Sequence, residues 1–369
     1  MKNILVVFGT RPEAIKLAPV VRELKKQRRY FRVSVCVTAQ HREMLDQVLD
    51  FFDIRPDFDL NLMQKNQTLP DLTARIITRL SPVLDKTRPD TMIVQGDTTT
   101  AMAASLAGFY RRIAIAHVEA GLRTKDKYSP FPEEINRRIT STLADVHFAP
   151  TDENRQNLRR EGVAGAIHVT GNTVIDALLW ARKILKTRPG VVPANICKLA
   201  GSKRMILVTG HRRESFGPGF ERICRALRKI ARDNGDAEIV YPVHLNPNVR
   251  EPVMRILSDE ERVHLIEPVA YPSFVFLMDR AYLVLTDSGG VQEEAPSLGK
   301  PVLVMRDKTE RREGIDAGNA ILVGTSGKAI SSNVSDLLRN TKRYERMSHA
   351  GNPYGDGMAA SRIAGILRV

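Results

Sequence analysis

The segment YLVLTDSGGVQEE, residues 282–294, opens with the apolar run Tyr282, Leu283, Val284 and Leu285 and then changes character at once. An unbroken apolar run of this length reads as a strand buried on both faces, the condition of a parallel sheet covered by helices. A half-exposed strand would alternate instead. Thr286, Asp287 and Ser288 end the run, and Gly289 and Gly290 open a helix that carries Glu293 and Glu294 in its first turns. The glycines let backbone N–H groups approach an anion such as a diphosphate, and a carboxylate about one turn along can accept hydrogen bonds from ribose hydroxyls. Helix capping by N-terminal acids accounts for one of the glutamates but leaves the paired glycines unexplained.

The same strand–turn–helix rhythm runs outward in both directions. Strands are expected at residues 4–8, 33–37, 92–94, 113–118, 146–148 and 167–169, and again at 205–208, 239–243, 263–266, 282–285, 301–305 and 321–323. With 369 residues the chain exceeds the ~250–300 at which one hydrophobic core stops growing, so two six-stranded α/β domains with parallel sheets are expected. A boundary fits at residues 171–176, and residues 188–193 read as a surface loop. Ala14, Leu17, Ala18 and Val21 share one helical stripe, which Pro19 is expected to break or kink. Near the end, the turn-forming residues 352–357 precede a last helical stripe at 358–367.

Composition narrows the class. Apolar residues at 43% and charged residues at 27% fit an ordinary globular protein, and no run approaches the ~18 apolar residues of a membrane span. The apolar stretch at 4–8 stops at Gly9, too soon for a secretory leader, and Cys36, Cys197 and Cys224 lack metal or disulfide spacing; a cytoplasmic location is expected. The net charge of +14 comes from Lys and Arg spread along the whole sequence, often beside acids, so solvated faces and a few anion-binding arginines explain it better than nucleic acid.

Ligands of open parallel sheets bind beyond the carboxyl ends of the strands, so the residues just past each run matter most. After the first strand, Gly9 and Arg11 open a helix with Lys16 one turn in, either an anion site or a plain turn. Asp97 and Glu119 follow two further strands and Glu133 starts a helix. Clustered carboxylates raise one another's pKa and serve as proton donor and acceptor; N-capping at Asp97 and dipole pairing at Glu133 are the structural alternative. His211, beside Arg212 and Arg213 at the first strand end of the second half, can grip phosphate or shuttle a proton. No G-x-G-x-x-G loop, HExxH or P-loop pattern occurs, and Asp97 and Glu119 have no third ligand at helpful spacing. No metal and no cofactor is therefore expected.

Ten motifs in order span the chain: FGTRPEAIKLAP (8–19), TAQHREMLDQVL (38–49), GDTTT (96–100), HVEAGLRT (117–124), SPFPEE (129–134), TGNTVIDAL (170–178), TGHRRESFG (209–217), YPVHLNPNVREP (241–252), DSGGVQEEAPSLGKPVLV (287–304) and NPYGDG (352–357). Together they closely resemble the bacterial non-hydrolysing UDP-N-acetylglucosamine 2-epimerases. The resemblance implies two Rossmann-like domains in the glycosyltransferase-B architecture, residues 1–170 with 356–369 and residues 171–355, with the ligand in the interdomain cleft. It implies a homodimer and a reversible inversion at C2 of UDP-N-acetylglucosamine that supplies surface polysaccharide. UDP is eliminated to leave 2-acetamidoglucal, then added back.

Carried over by position, Asp97, Glu119 and Glu133 become acid–base residues, with His211 near the diphosphate. Arg11, Lys16, Ser288, Gly289, Gly290, Glu294 and Arg311 become UDP-binding residues, with Phe274 beside the uracil. A second substrate molecule acting as activator would involve Gln40, Glu43, Gln67, Arg212 and His244. Glu43, Gln95, Val269 and Arg312 depart from residues frequent in the family, and Arg312 in place of proline is expected to free the backbone beside Arg311. A glycosyltransferase of the same architecture, a hydrolysing epimerase and a non-catalytic sensor are the competing readings, since fold alone does not settle function.

Overall fold

The computed structural model describes the chain from Met1 to Val369 except Gln40, His41, Met63, Lys65, Asn66 and Ser202 and the side chains of Arg42 and Glu43. The chain divides into two units, Met1–Trp180 with Tyr354–Val369, and Ala181–Pro353.

Unit 1 holds strands β1 (Lys2–Phe8), β2 (Phe31–Val37), β3 (Phe58–Asp59), β4 (Thr91–Gln95), β5 (Ala114–Val118), β6 (Val146–Ala149) and β7 (Ala166–Val169). All pair in parallel in the order β3-β2-β1-β4-β5-β6-β7. The sequence reading of six strands missed β3, whose two residues pair with Cys36 and Val37. A strand of that length contains no apolar run to detect. Chain order reverses between β1 and β4, so the turns after β1 and β4 flank a topological switch point, where such sheets bind ligands.

The helix Arg11–Lys26 continues through Pro19 instead of breaking there. Its stripe of Ala14, Leu17, Ala18, Val21 and Leu24 is at most 2% exposed. Burial at ~1.5–3 kcal/mol per large aliphatic side chain outweighs the ~3 kcal/mol penalty of an internal proline. The last helix, Ala359–Arg368, packs against this one. Its N-terminus is held by Asp176, whose carboxylate accepts the Ala359 and Ala360 N–H groups at 3.2 and 2.9 Å, and Lys2 donates to the Leu367 carbonyl near its other end. Residues 354–369 thus complete unit 1.

Unit 2 holds β8 (Arg204–Thr209), β9 (Ala237–Pro242), β10 (Val263–Ile266), β11 (Leu283–Thr286), β12 (Val302–Val304) and β13 (Ala320–Leu322), six strands as the sequence led one to expect. They are parallel in the order β10-β9-β8-β11-β12-β13, so the switch point here lies between β8 and β11. Its core includes Val208, Phe220, Leu227, Ile239 and Leu285. Among the described residues no helix is long and apolar enough to cross a membrane.

Candidate active site

In unit 1 the sheet brings the predicted acids to one edge. Gln95 and Val118 are register partners on β4 and β5, so Asp97 and Glu119 follow adjacent strand ends. The cap of the next helix, Thr99–Phe109, is Thr98, whose hydroxyl accepts the Ala101 N–H; Asp97 is not spent on capping. Glu119 has a left-handed backbone, φ 62°, and its Oε2 receives Lys16 Nζ at 2.5 Å and also the Gln95 amide. Lys16, expected to contact UDP, is thus paired with an acid. Asp97 Oδ2 lies 2.5 Å from Arg137 Nη2. Glu133 is the first residue of the helix Glu133–Leu143, and its Oε2 is buried with no hydrogen-bond partner among the described residues. Among the described residues the predicted acids therefore meet three different conditions: ion-paired to lysine, ion-paired to arginine, and at a helix N-terminus with one buried oxygen lacking a hydrogen bond.

Residues that were not singled out beforehand hold this edge in shape. Glu13 is fully buried, and its Oε2 accepts the N–H groups of Gly9 and Thr10 at 3.0 and 2.8 Å while Oε1 accepts the Thr98 hydroxyl at 2.7 Å. Two backbone donors of the turn after β1, the N–H groups of Gly9 and Thr10, are thus taken by this carboxylate, which ties that turn to the one after β4. Burial pushes the Glu13 pKa up against these hydrogen bonds. His117, inside β5 and fully buried, donates through Nε2 to the Gly96 carbonyl at 2.8 Å, the donor role that a neutral ring with Nε2–H supplies. Arg11 is the first residue of its helix, with its side chain partly covered.

Unit 2 repeats the arrangement with different chemistry. Asp287, after β11, is almost wholly buried, and its Oδ2 accepts the N–H groups of His211 and Arg212 at 2.7 and 2.8 Å. This locks together the two turns that flank the switch point. The Tyr241 hydroxyl adds a bond to the Gly210 carbonyl. The His211 ring stacks on His244 with centroids 5.5 Å apart, so residues assigned to catalysis and to activation are neighbours. Loss of hydration lowers the His211 pKa, with Asp287 opposing and Arg212 and His244 reinforcing, which favours the neutral ring.

Ser288 stands at the N-cap position of the short helix Gly289–Glu294, with no capping bond from its side chain among the described residues. A Cβ on Gly289 would lie 2.4 Å from the Arg311 guanidinium carbon, so glycine is required for that arginine to pass. Arg311 Nε donates to Glu293 at 2.6 Å and Nη1 to Glu310 at 3.0 Å. Burial works to raise the Glu310 pKa, but Arg311 and Arg306 outweigh it and hold it at about 2. Arg312 leaves Arg311 firmly held, because the helix Arg312–Asp316 starts there and these carboxylates fix the guanidinium. Glu294 is buried beside Gly290, and Phe274 is half-buried on the helix Tyr271–Arg280. In unit 1, Gln67 accepts from Arg75 at 2.9 Å; Gln40 and the Glu43 side chain lie outside the described residues.

A family model described as UDP-N-acetylglucosamine 2-epimerase matches residues 22–368. The UDP-N-acetylglucosamine 2-epimerase of Escherichia coli (strain K12) is 58% identical over 370 residues, covering 99% of this chain and 98% of that protein. The UDP-GlcNAc 2-epimerase from Neisseria meningitidis, crystallised bound to UDP-GlcNAc, is 48% identical with a TM-score of 0.88 over 99% of both chains. The Methanocaldococcus jannaschii UDP-GlcNAc 2-epimerase, in complex with UDP-GlcNAc and UDP, is 34% identical with a TM-score of 0.81, again over 99% of both. The two parallel-sheet α/β units have a glycosyltransferase-B-like fold. With a family model spanning most of its length and relatives this similar from end to end, the chain belongs to the UDP-N-acetylglucosamine 2-epimerase family.

Proposed function

We propose that this chain interconverts UDP-N-acetylglucosamine and UDP-N-acetylmannosamine without hydrolysis. A carboxylate removes the C2 proton, the C–H electron pair becomes the C1–C2 double bond, and the C1–O pair leaves with UDP. A second acid then returns a proton to C2 on the opposite face, and UDP adds back at C1. Asp97, Glu119 and Glu133 supply the base and the acid, and His211 serves the departing diphosphate. Ser288, Gly289, Gly290, Glu294 and Arg311 hold UDP, with Arg11, Lys16 and Phe274 as further contacts.

The observation that carries this reading is the placement of Asp97 and Glu119 at adjacent strand ends of the first sheet, with the helix that Glu133 opens bonded to Asp97 through Asn136 and Arg137. A chemistry that must both take and give a proton needs groups held in unlike environments. The named ligands of the Neisseria and Methanocaldococcus enzymes support the choice of substrate. The same reading extends to a cytoplasmic homodimer feeding surface polysaccharide synthesis. It also extends to an activating second substrate molecule at a site that includes Gln67, Arg212 and His244, the last stacked on His211.

Incubation with UDP-N-acetylglucosamine alone in heavy water, followed by NMR, tests the reaction. Deuterium at C2 in two intact UDP-sugars is expected. Free UDP accumulating with free sugar would mark a hydrolysing enzyme, and absence of exchange would point to a transferase or a sensor.

A further inference from the structure

We propose that Arg137 is the positioning residue that aims the Asp97 carboxylate for proton transfer, tying it to the helix that carries Glu133. The inference rests on the reading of Asp97 as an acid–base residue given above.

The backbone around Asp97 is fixed without any help from Arg137. Gly96 N–H donates to the Val118 carbonyl at 3.0 Å, His117 to the Gly96 carbonyl at 2.8 Å, Asn136 Nδ2 to the Asp97 carbonyl at 3.0 Å, and the Thr98 hydroxyl to Glu13 at 2.7 Å. The side chain is a separate matter. Its one hydrogen bond among the described residues is from Arg137 Nη2 to Oδ2, and Oδ1 accepts none. A carboxylate on a fixed backbone still turns about two torsions, and a charge-assisted bond to a planar guanidinium selects one orientation. Arg137 holds one oxygen and leaves the other for the reacting proton.

Arg137 is itself well placed to do this. Its side chain is 5% exposed, and Nη1 stands 3.3 Å from Glu134 Oε2. Glu134 is wholly buried and is held in turn by Arg138 Nε at 3.2 Å and by the N–H and hydroxyl of Thr124, both at 3.1 Å. This carboxylate faces the guanidinium as an ion-pair partner, without a hydrogen bond to Nη1 among the described residues. Arg137 also lies four residues after Glu133, so one helix carries one acid and the group that orients another. Their relative placement is set by helix geometry rather than by loop packing.

The test measures kcat and KM for Arg137→Ala and Arg137→Gln beside the wild type, with circular dichroism melts to confirm folding. Both variants should lose about 100-fold in kcat, the scale set by small misplacements of a reacting group, with KM within about threefold. Added guanidinium ion should restore about tenfold of the alanine variant's kcat and do nothing for Asp97→Asn. Three results would overturn the proposal: a kcat within about threefold of wild type in either folded variant, a loss confined to KM, or a folded alanine variant that guanidinium does not rescue. The glutamine variant keeps the volume and polarity of the site, so it carries the measurement if the alanine variant does not fold. If the wild type exchanges no deuterium into C2, the acid–base reading itself fails, an outcome distinct from normal turnover in the variants.

Discussion

Acidification from pH 6.5 to 5 should draw a destabilising contribution to unit 1 from His117. Its ring is fully buried, Nε2 is committed to the Gly96 carbonyl, and Nδ1 has no hydrogen-bond partner among the described residues. Burial, opposed by that bond and reinforced by His147, Arg123 and Arg137, lowers its pKa from 6.5 to about 3. The folded state therefore holds the neutral ring where the unfolded chain takes up a proton. Stability from such a group is complete above pH 6.5 and is lost as pH falls toward 3. At about 1.4 kcal/mol per pH unit, a drop of about 1.5 units costs about 2 kcal/mol. His117→Gln keeps an amide donor within reach of Gly96 but cannot titrate. Trp180, the single tryptophan, lies 4.7 Å from Phe52 and 4.3 Å from the Arg22 guanidinium, all in unit 1, so its fluorescence during urea unfolding follows that unit. The wild type should lose about 2 kcal/mol more than His117→Gln across this interval, whatever their difference at neutral pH. Equal losses in the two proteins would refute the reasoning.

Asp97→Asn, Glu119→Gln and Glu133→Gln should each lower turnover by about 100-fold or more, measured as deuterium incorporation at C2; near-normal rates in all three would remove them from the chemistry. Gly289→Ala must displace the Arg311 guanidinium, so UDP affinity by calorimetry should fall by about tenfold, the worth of one charge-assisted hydrogen bond. Glu310, held at about 2, contributes stability that is present above its unfolded value of 4.5 and is lost as pH falls toward 2. Glu310→Gln should flatten the acid limb of the unfolding curve over that range; an unchanged limb would contradict the ion pairing with Arg306 and Arg311.

Much of the fold was legible because buried parallel strands leave a mark in composition. The run at residues 282–285 is visible as a strand without any knowledge of its neighbours. Phe58 and Asp59 leave no such mark, since their pairing with Cys36 and Val37 is a property of the sheet and not of the segment. Pro19 fails to end its helix for the opposite reason: a local rule was overridden by the burial of the stripe around it. At the site, residues at strand ends could be picked out because that position alone is informative in this architecture. His117 and Asp287 were missed because their partners are main-chain groups on other turns, and Glu13 because its link to the turn after β4 runs through the Thr98 hydroxyl, far away in sequence. Arg137 was more accessible, since its spacing from Glu133 puts both on one helix, but nothing linear ties it to Asp97. The stacking of His211 on His244 likewise depends on how the turns after β8 and β9 fold.

The return of residues 354–369 to the first unit bears on how the protein is made. Synthesis delivers Asp97, Glu119 and Glu133 early, yet Ile363, Ala364 and Leu367, buried in the last helix, arrive only after all of unit 2 has been translated. Until then the helix Arg11–Lys26 lacks one of its packing partners. A chain cut short before residue 354 would therefore expose the apolar surface that the last helix covers, the kind of surface that makes incompletely folded chains prone to aggregate.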